Sequence, residues 1–495
     1  MDAIHSAAPL WACLASLLAV VPIVALGRWP NLREGATFLA AGAKFAIVAS
    51  MLPLVLDGKV IEFTLFQAAP NAALAFRVDA FGIFFALIAS ILWIPTTLYA
   101  IGYMRGLGEH SQTRFFAFFA VSLSATLGVA FAANLLTLYI FYEMLSLATF
   151  PLVVPPRRQG ILPGARFYLG HLLGTSVGFA LPALIYCYVK TGGGSLDFSL
   201  DGFLAGHVSR GESVALLLLF AFGFSKAGLM PFHSWLPNAM VAPTPVSALL
   251  HAVAVVKVGV FCIVRVVTGV FGVDLLDEFD LGAVLGWVAA FTVIVSSLIA
   301  LSQDNLKRRL AFSTIGQLAY IVLGIALLTP MGVKGSILHI GAHAFGKITL
   351  FFCAGAIFVA TGKKYISQMA GLGKAMPVTF AAFFIGSLSV IGLPPTGGFL
   401  SKFQLVLGTM EAHQIGLLVV YLVSTVLNAA YFLPIVFRAF FPPAGAGAAP
   451  FSWRNVKEAP VACVAPICFT ALCAIALFFF PAIGQKLAAM MVAAP

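Results

Sequence analysis

Apolar runs of about 20 residues, the length a helix needs to cross the hydrocarbon core of a bilayer, succeed one another along almost the whole chain. About fourteen such runs can be counted, centred near residues 18, 46, 90, 124, 144, 178, 221, 258, 291, 317, 348, 390, 425 and 471. The segments between them are too short for a soluble domain of the usual ~100 to 150 residues. Charged residues make up 9% of the 495 positions, far below the roughly 25% of soluble domains. The expected fold class is therefore an all-α polytopic membrane protein. The opening MDAIHSAAPLWACLASLLAV has no basic start and no small-residue cleavage site, so it is expected to stay as the first helix rather than leave as a signal peptide.

A net charge of +11 invites an anionic partner such as nucleic acid, but the placement of the charges gives a simpler account. Alternate loops hold Arg28, Arg33, Arg105, Arg114, Arg157, Arg158, Arg166, Lys307, Arg308, Arg309, Lys363, Lys364, Lys374, Arg438, Arg454 and Lys457. The opposite set holds only Lys59, Arg77, Lys190, Arg210, Arg265 and Lys334, together with the acids Asp274, Asp277, Glu278 and Asp280. Sixteen against six is the positive-inside bias. It puts the first set in the cytoplasm and, with an even number of spans, both termini outside. No nucleic-acid partner is expected. The seven cysteines all lie in apolar segments without a C-x-x-C pair, which disfavours disulfides, iron–sulfur clusters and zinc sites; they read as packing residues.

Six basic residues remain. Lys486 ends the last span and can snorkel to the interface, and Lys44 in AAGAKFAIVASML suits a lipid-interface position and a buried one equally. Lys226, Lys257, Lys347 and Lys402 have no easy exit, and Glu143 is the acid deep in a span. A charge at mid-bilayer costs roughly 2.5 to 3.5 kcal/mol even on lenient scales, so such groups need buried partners or a hydrated path.

Two spans also carry internal breaks. Pro231, Pro237, Pro243 and Pro245 interrupt FGFSKAGLMPFHSWLPNAMVAPTPVSALLHA; Pro394 and Pro395 followed by Thr396, Gly397 and Gly398 interrupt SLSVIGLPPTGGFLSKFQLVLG. Unwound backbone at membrane depth is tolerated only inside protein or along a watery cavity, and paired breaks in two halves of a chain point to a transporter built from repeats. Lys226 and Lys402 lie beside the breaks. The plainer alternative is a packing kink with the lysine capping a half-helix.

In HIGAHAFGKITLFF, His339, His343 and Lys347 follow at i, i+4 and i+8, along one helix stripe at about 6 Å per step. Imidazole titrates near neutrality and has two tautomers, so such a stripe with intervening water can pass a proton. A structural core histidine is the bland counterpart. No acidic or thiolate third ligand lies near His339 and His343, so no metal site is expected.

The stretches FYEMLSLATFPLV, SKAGLMPFHSWLPNAMVAPTPVSALLHA, DNLKRRLAFSTIGQLAYIVLG, HAFGKITLFFCAG and GLPPTGGFLSKF occur in that order between about residues 75 and 440. They resemble the signatures of the proton-conducting antiporter-like subunits shared by respiratory complex I, membrane-bound hydrogenases, formate hydrogenlyases and Mrp-type cation/proton antiporters. Length and the lack of a long lateral helix resemble the D-type component of Mrp antiporters or its close relatives more than the largest complex I subunit. The resemblance implies helices one to three over residues 1–112, two inverted five-helix repeats over 113–273 and 274–441, each with a broken helix, and a last helix over 442–495. It implies a glutamate at Glu143 paired with Lys226, a bridging Lys257 with His251 close by, a relay of His339, His343 and Lys347, and a terminal Lys402. Lysine at that last position disfavours the one complex I paralogue that carries glutamate there. The resemblance further implies a bacterial inner membrane and other membrane subunits as partners. Protons, with sodium or another monovalent cation as an open alternative, would be the transported ions.

Burial pushes an amine toward its neutral form and an adjacent carboxylate opposes this, so a lysine between the two exchanges its proton when the acid moves. On that logic Glu143 modulates, Lys226 switches, Lys257 and His343 carry the proton onward, and Lys402 stores or releases it. A buried ion pair that only fixes packing is the competing reading for Glu143 and Lys226. A solute symporter would favour an acid-rich sodium site, and a purely structural membrane subunit would need none of these charges. The chain lacks haem-ligand pairs, dinucleotide turns and cysteine clusters, so no cofactor is expected.

Overall fold

The computed structural model describes residues 3–154, 162–442 and 456–492; Arg157, Arg158 and Arg454 of the basic tally lie outside them. In chain order the principal helices are α1 (Ala8–Ala25), α2 (Pro30–Leu56), α3 (Ala80–Gly106), α4 (Gln112–Ala130), α5 (Leu135–Val153) and α6 (Gly164–Lys190). Then follow α7 (Arg210–Gly223), α8 (Val246–Phe271), α9 (Leu281–Ser302), α10 (Leu306–Ala326) and α11 (Pro330–Thr361). The last are α12 (Pro377–Ile391), α13 (Gly397–Glu411), α14 (Ile415–Phe440), α15 (Val461–Phe479) and α16 (Ala482–Met490). Among the described residues, 12 helices are long and apolar enough to cross a membrane on their own. The two interrupted stretches, α7 with the fragments after it and α12 with α13, fall outside that set, which is two short of the fourteen runs counted in the sequence.

Burial separates the helices into an inner and an outer set. The apolar stretch of α8 is 100% buried inside the protein and that of α10 94%, whereas α2, α14 and α15 bury only 33%. A helix apolar all round belongs in the interior of a large helical protein; one buried on a narrow stripe turns its remaining apolar surface to lipid. The inner α8 packs against the turn that follows α7 on one side and against α10 and α11 on the other. It thereby joins the two halves of the chain at mid-depth.

The turn after α7 is a short 3₁₀ segment, Ser225–Ala227, followed by helical fragments at Trp235–Asn238 and Ala239–Val241. Pro231 and Pro237 withhold backbone donors here, so a continuous helix is not available. In the second half α12 ends at Ile391 and α13 resumes at Gly397, with Pro394 and Pro395 between.

Two features depart from the sequence reading. A small sheet, β1 (Ala3–His5), β2 (Val60–Ala69) and β3 (Ala72–Val78), occupies the start of what reads as the first helix and what reads as the loop after α2, with β1 parallel and β3 antiparallel to β2; α1 itself begins only at Ala8. The hairpin turns at Asn71, whose φ of 55° suits asparagine better than most residues. Arg265, counted as a loop cation, is buried within α8, where its guanidinium pairs with both Asp79 oxygens at 2.5 and 2.7 Å. The bidentate partner, and the rings of Phe81, Phe198 and Phe261 around it, make the buried position tolerable.

Candidate functional site

At the first break Lys226 is fully buried. Its Nζ donates to the Tyr142 carbonyl at 2.9 Å and to Ser146 Oγ at 2.6 Å, and lies 3.1 Å from the centre of the Tyr142 ring. Tyr142 and Ser146 stand at i and i+4 on α5, hence on one face. The Tyr142 hydroxyl accepts the Lys226 backbone N–H at 3.2 Å. On α8, a Cβ at Gly259 would stand 2.0 Å from the Ala227 nitrogen, so only glycine lets the unwound turn press this closely against α8.

The expected contact between Glu143 and Lys226 is not made. Glu143 follows Tyr142 by one residue and is turned about 100° round the helix from it, which leaves the Tyr142 and Ser146 face to the lysine. Both Glu143 carboxylate oxygens are buried and bond no group among the described residues. The acid is thus a neighbour of Lys226 with the intervening acceptor positions held by a carbonyl and a hydroxyl.

His251 lies in a π-helical stretch of α8, Val246–Ala254, a wide turn of the kind often found at functional sites. Its ring meets Tyr168 and Trp235 edge to face at 5.8 and 6.1 Å, and neither nitrogen has a protein partner among the described residues. His251 is not the partner of Lys257. Lys257 Nζ instead donates to the Ala252 carbonyl at 2.5 Å and meets His343 Nδ1 on α11 at 2.7 Å. This contact joins α8 to α11.

His343 and His339 lie parallel, 5.8 Å between ring centres and 3° between planes. His339 Nδ1 meets Ser401 Oγ on α13 at 2.9 Å, its Nε2 donates to Gln317 Oε1 on α10 at 3.0 Å, and its ring stacks on Tyr320. Lys347 does not continue this line. It turns to α10, donating to Ser313 Oγ at 2.6 Å and the Leu310 carbonyl at 3.3 Å, with Tyr431 bonded to the same hydroxyl. The three-residue stripe is therefore two histidines in line and a lysine on a side branch.

At the second break Lys402 is 7% exposed. Its Nζ donates to the Ile391 carbonyl at 3.1 Å, the last residue of α12, and sits 4.3 Å over the Tyr320 ring. The carbonyl end of a helix carries partial negative charge and suits a cation. Gly392 has a φ of 92°, and a Cβ there would lie 2.6 Å from Lys402 Cδ; glycine both turns the chain and gives the lysine stem its bed. Gly397 and Gly398 start α13.

Of the residues named from sequence, Lys257, His343 and His339 follow one another in direct contact, Lys402 shares the Tyr320 ring with His339, and Lys226 keeps to its own partners on α5. His251 stands beside this row on α8 and Lys347 branches from it. These residues were legible as charges in apolar runs. Their acceptors Tyr142, Ser146, Ser313, Gln317, Tyr320 and Ser401 were not, although Gln317 in an otherwise apolar helix and Ser401 beside Lys402 were available signals. An arrangement of amines and imidazoles without contacting carboxylates can bind, hold and pass protons.

These features define a multi-pass membrane protein with paired interrupted helices and a buried basic row. The chain belongs to the NADH:quinone oxidoreductase/Mrp antiporter transmembrane family, whose pattern matches residues 132–428. Among its relatives, NADH-quinone oxidoreductase subunit N of Desulforudis audaxviator is 32% identical over 93% of this chain and 91% of that protein. A probable K(+)/H(+) antiporter component of Rhizobium meliloti is 31% identical over 92% of this chain; the chain spans 45% of that longer relative. The fold is also that of a chain in the Mrp complex of Dietzia sp. DQ12-45-1b, with a TM-score of 0.86, 22% identity and coverage of 98% and 96%.

Proposed function

We propose that this chain is a proton-translocating, antiporter-like membrane subunit of a multisubunit ion-pumping complex, most like the D-type component of an Mrp-type monovalent cation/proton antiporter. The observation that carries the reading is the 2.7 Å contact between Lys257 on α8 and His343 on α11, which joins a buried lysine directly to the histidine pair. In this scheme Lys226 takes up a proton beside Glu143 and hands it through water to Lys257. His343 and His339 pass it on, and Lys402 releases it. Glu143 acts by charge, from a distance at which it need not be a partner. His251, with both nitrogens free to bond water, serves the approach to Lys226 and Lys257, and Lys347, one turn from His343 and bonded to Ser313, stands on a side branch of the path.

The same reading divides the chain into helices one to three over 1–112, a first repeat over 113–273, an inverted repeat over 274–441 and a terminal part over 442–495. The basic loops face the cytoplasm of a bacterial inner membrane and both termini face outward. Sodium or another monovalent cation is the counter-ion in the Mrp-type version. A second reading, an antiporter-like pumping subunit in a complex I-like oxidoreductase, is favoured by the Desulforudis relative, which this chain matches over nearly its full length. Redox chemistry would then reside in other subunits.

The test is ion transport by the whole complex in sealed vesicles, purified with its partners. Glu143→Gln and Lys226→Ala each are expected to remove most translocation while leaving assembly near normal. Transport at the parental rate by either assembled variant would end the switching assignment. The partners that copurify separate the two parent complexes.

A further inference from the structure

The described structure holds another lysine as deeply enclosed as those of the row. Lys44, midway along α2, is 0% exposed. Its Nζ donates to Ser16 Oγ on α1 at 3.2 Å and to the Leu123 carbonyl on α4 at 2.7 Å, and lies 5.2 Å from the centre of the Trp93 ring on α3. It therefore stands among all four N-terminal helices, outside the basic row. No ion pair reaches it among the described residues. Cys13 lies close to it, and the Cys13 carbonyl accepts from Ser124 Oγ at 2.8 Å and from Ser16 Oγ at 3.3 Å.

A packing lysine would be expected to have its surroundings fully bonded. Instead, the Nε1 of Trp93, whose ring lies against the lysine, has no partner among the described residues, nor has Ser90 Oγ one turn before it on α3; both residues are 0% exposed. Buried polar atoms are nearly always bonded to protein or water, and a water taking the indole N–H and donating to a hydroxyl keeps a lone pair for an amine N–H. A lasting ammonium without a counter-ion is expensive at this depth; an amine that gives up its proton is not.

We propose that Lys44 is a further proton-binding site of this protein, separate from the row between the two breaks. The exchange is Lys–NH₃⁺ plus water giving Lys–NH₂ plus hydronium: one N–H bond breaks, its electron pair stays on nitrogen, and the proton leaves on water, which lets go of the Trp93 N–H as it becomes hydronium. In the neutral form the Nζ lone pair can accept from the Ser16 hydroxyl, which would turn its hydrogen away from the Cys13 carbonyl it bonds at 3.3 Å. The proposal rests on the ion-translocating reading above.

The experiment uses the complete complex in vesicles and compares Lys44→Met, Lys44→Arg and Lys226→Met with the parent. In parallel, Lys44→Cys is treated with a small water-borne methanethiosulfonate reagent and the peptide followed by mass spectrometry. Expected are normal assembly, a marked and similar fall in transport for Lys44→Met and Lys44→Arg, and labelling at position 44. Arginine keeps the charge but cannot release its proton, so near-parental transport by Lys44→Arg would make Lys44 a fixed charge and overturn the proposal. Parental transport by Lys44→Met, or an unlabelled Lys44→Cys, would do the same. Parental transport by Lys226→Met would instead sink the translocation reading, while the labelling still decides whether water reaches position 44.

Discussion

The two breaks seat their lysines in the same way and surround them differently. Lys226 and Lys402 each sit over a tyrosine ring, Tyr142 and Tyr320, and each donates to a backbone carbonyl. Each is bedded by a glycine that no larger residue could replace. Only the first has a carboxylate, Glu143, next along the helix from its tyrosine. Lys402 has a helix end and, beyond Tyr320, the His339 ring. An acid can swing toward a lysine and hold its proton; a helix end and a ring are fixed parts of the fold. The comparison implies that the first site is tuned by a movable charge and the second by the protonation of its neighbours.

The strongest challenge to this parallel is removal of the amines. Lys226→Ala and Lys402→Ala should each cut transport roughly a hundredfold, as expected for loss of a proton-transfer group, with assembly checked on native gels. A loss confined to one of them would mean that the breaks do different jobs. Next, Lys402→Arg should block transport about as fully as Lys402→Ala, because guanidinium does not deprotonate at any useful pH. Substantial activity in the arginine variant would leave Lys402 a fixed charge.

Glu143→Gln sharpens the difference rather than the likeness. Without the acid, transport should fall by about tenfold or more, the scale of a buried charge interaction of ~1.4 kcal/mol or above. No conservative change near Lys402 has an equivalent meaning. A smaller effect belongs to Tyr142→Phe, which keeps the ring under Lys226 and loses the hydroxyl that accepts its backbone N–H; about 1 kcal/mol, or a fall of about fivefold, follows from one neutral hydrogen bond. Tyr320→Phe is the matching control, since its hydroxyl bonds the Tyr421 carbonyl, away from Lys402, and should leave transport nearly unchanged. Topology is checked separately: reporter fusions at Arg309 and Lys364 should read cytoplasmic and one at Asp277 external.

What could be read from the residues alone was whatever carries a large penalty in lipid. Lysines, histidines and a glutamate in apolar runs announce themselves, and prolines announce breaks, because each violates a strong rule of the bilayer. What escaped is inexpensive in sequence terms. Ser146 and Ser313 look like ordinary small residues until a lysine reaches them. Glu143 and Lys226 are neighbours, but their angular offset depends on which face of α5 meets the turn after α7, a matter of packing. Lys44 gave no sign of its surroundings because its partners come from three other helices. The short sheet at residues 60–78 was read as loop, its strands being brief against the helices around them. Arg265 escaped because its pairing with Asp79 joins residues 186 positions apart.

The contact between Lys257 and His343 also sets a rhythm. When the ammonium donates to Nδ1, a neutral His343 must carry its hydrogen on Nε2, the atom bonded to no other group among the described residues. A proton arriving at Nδ1 makes the ring doubly protonated, and onward transfer removes the hydrogen from Nε2. The ring is left as the opposite tautomer, with its hydrogen facing Lys257 and its lone pair facing outward. Until that hydrogen is returned or the ring turns over, a second proton from the same direction meets an N–H instead of a lone pair. On the proposed path the link between the two halves therefore has a dead time after each passage, and the interval is set by imidazole chemistry rather than by the movement of any helix.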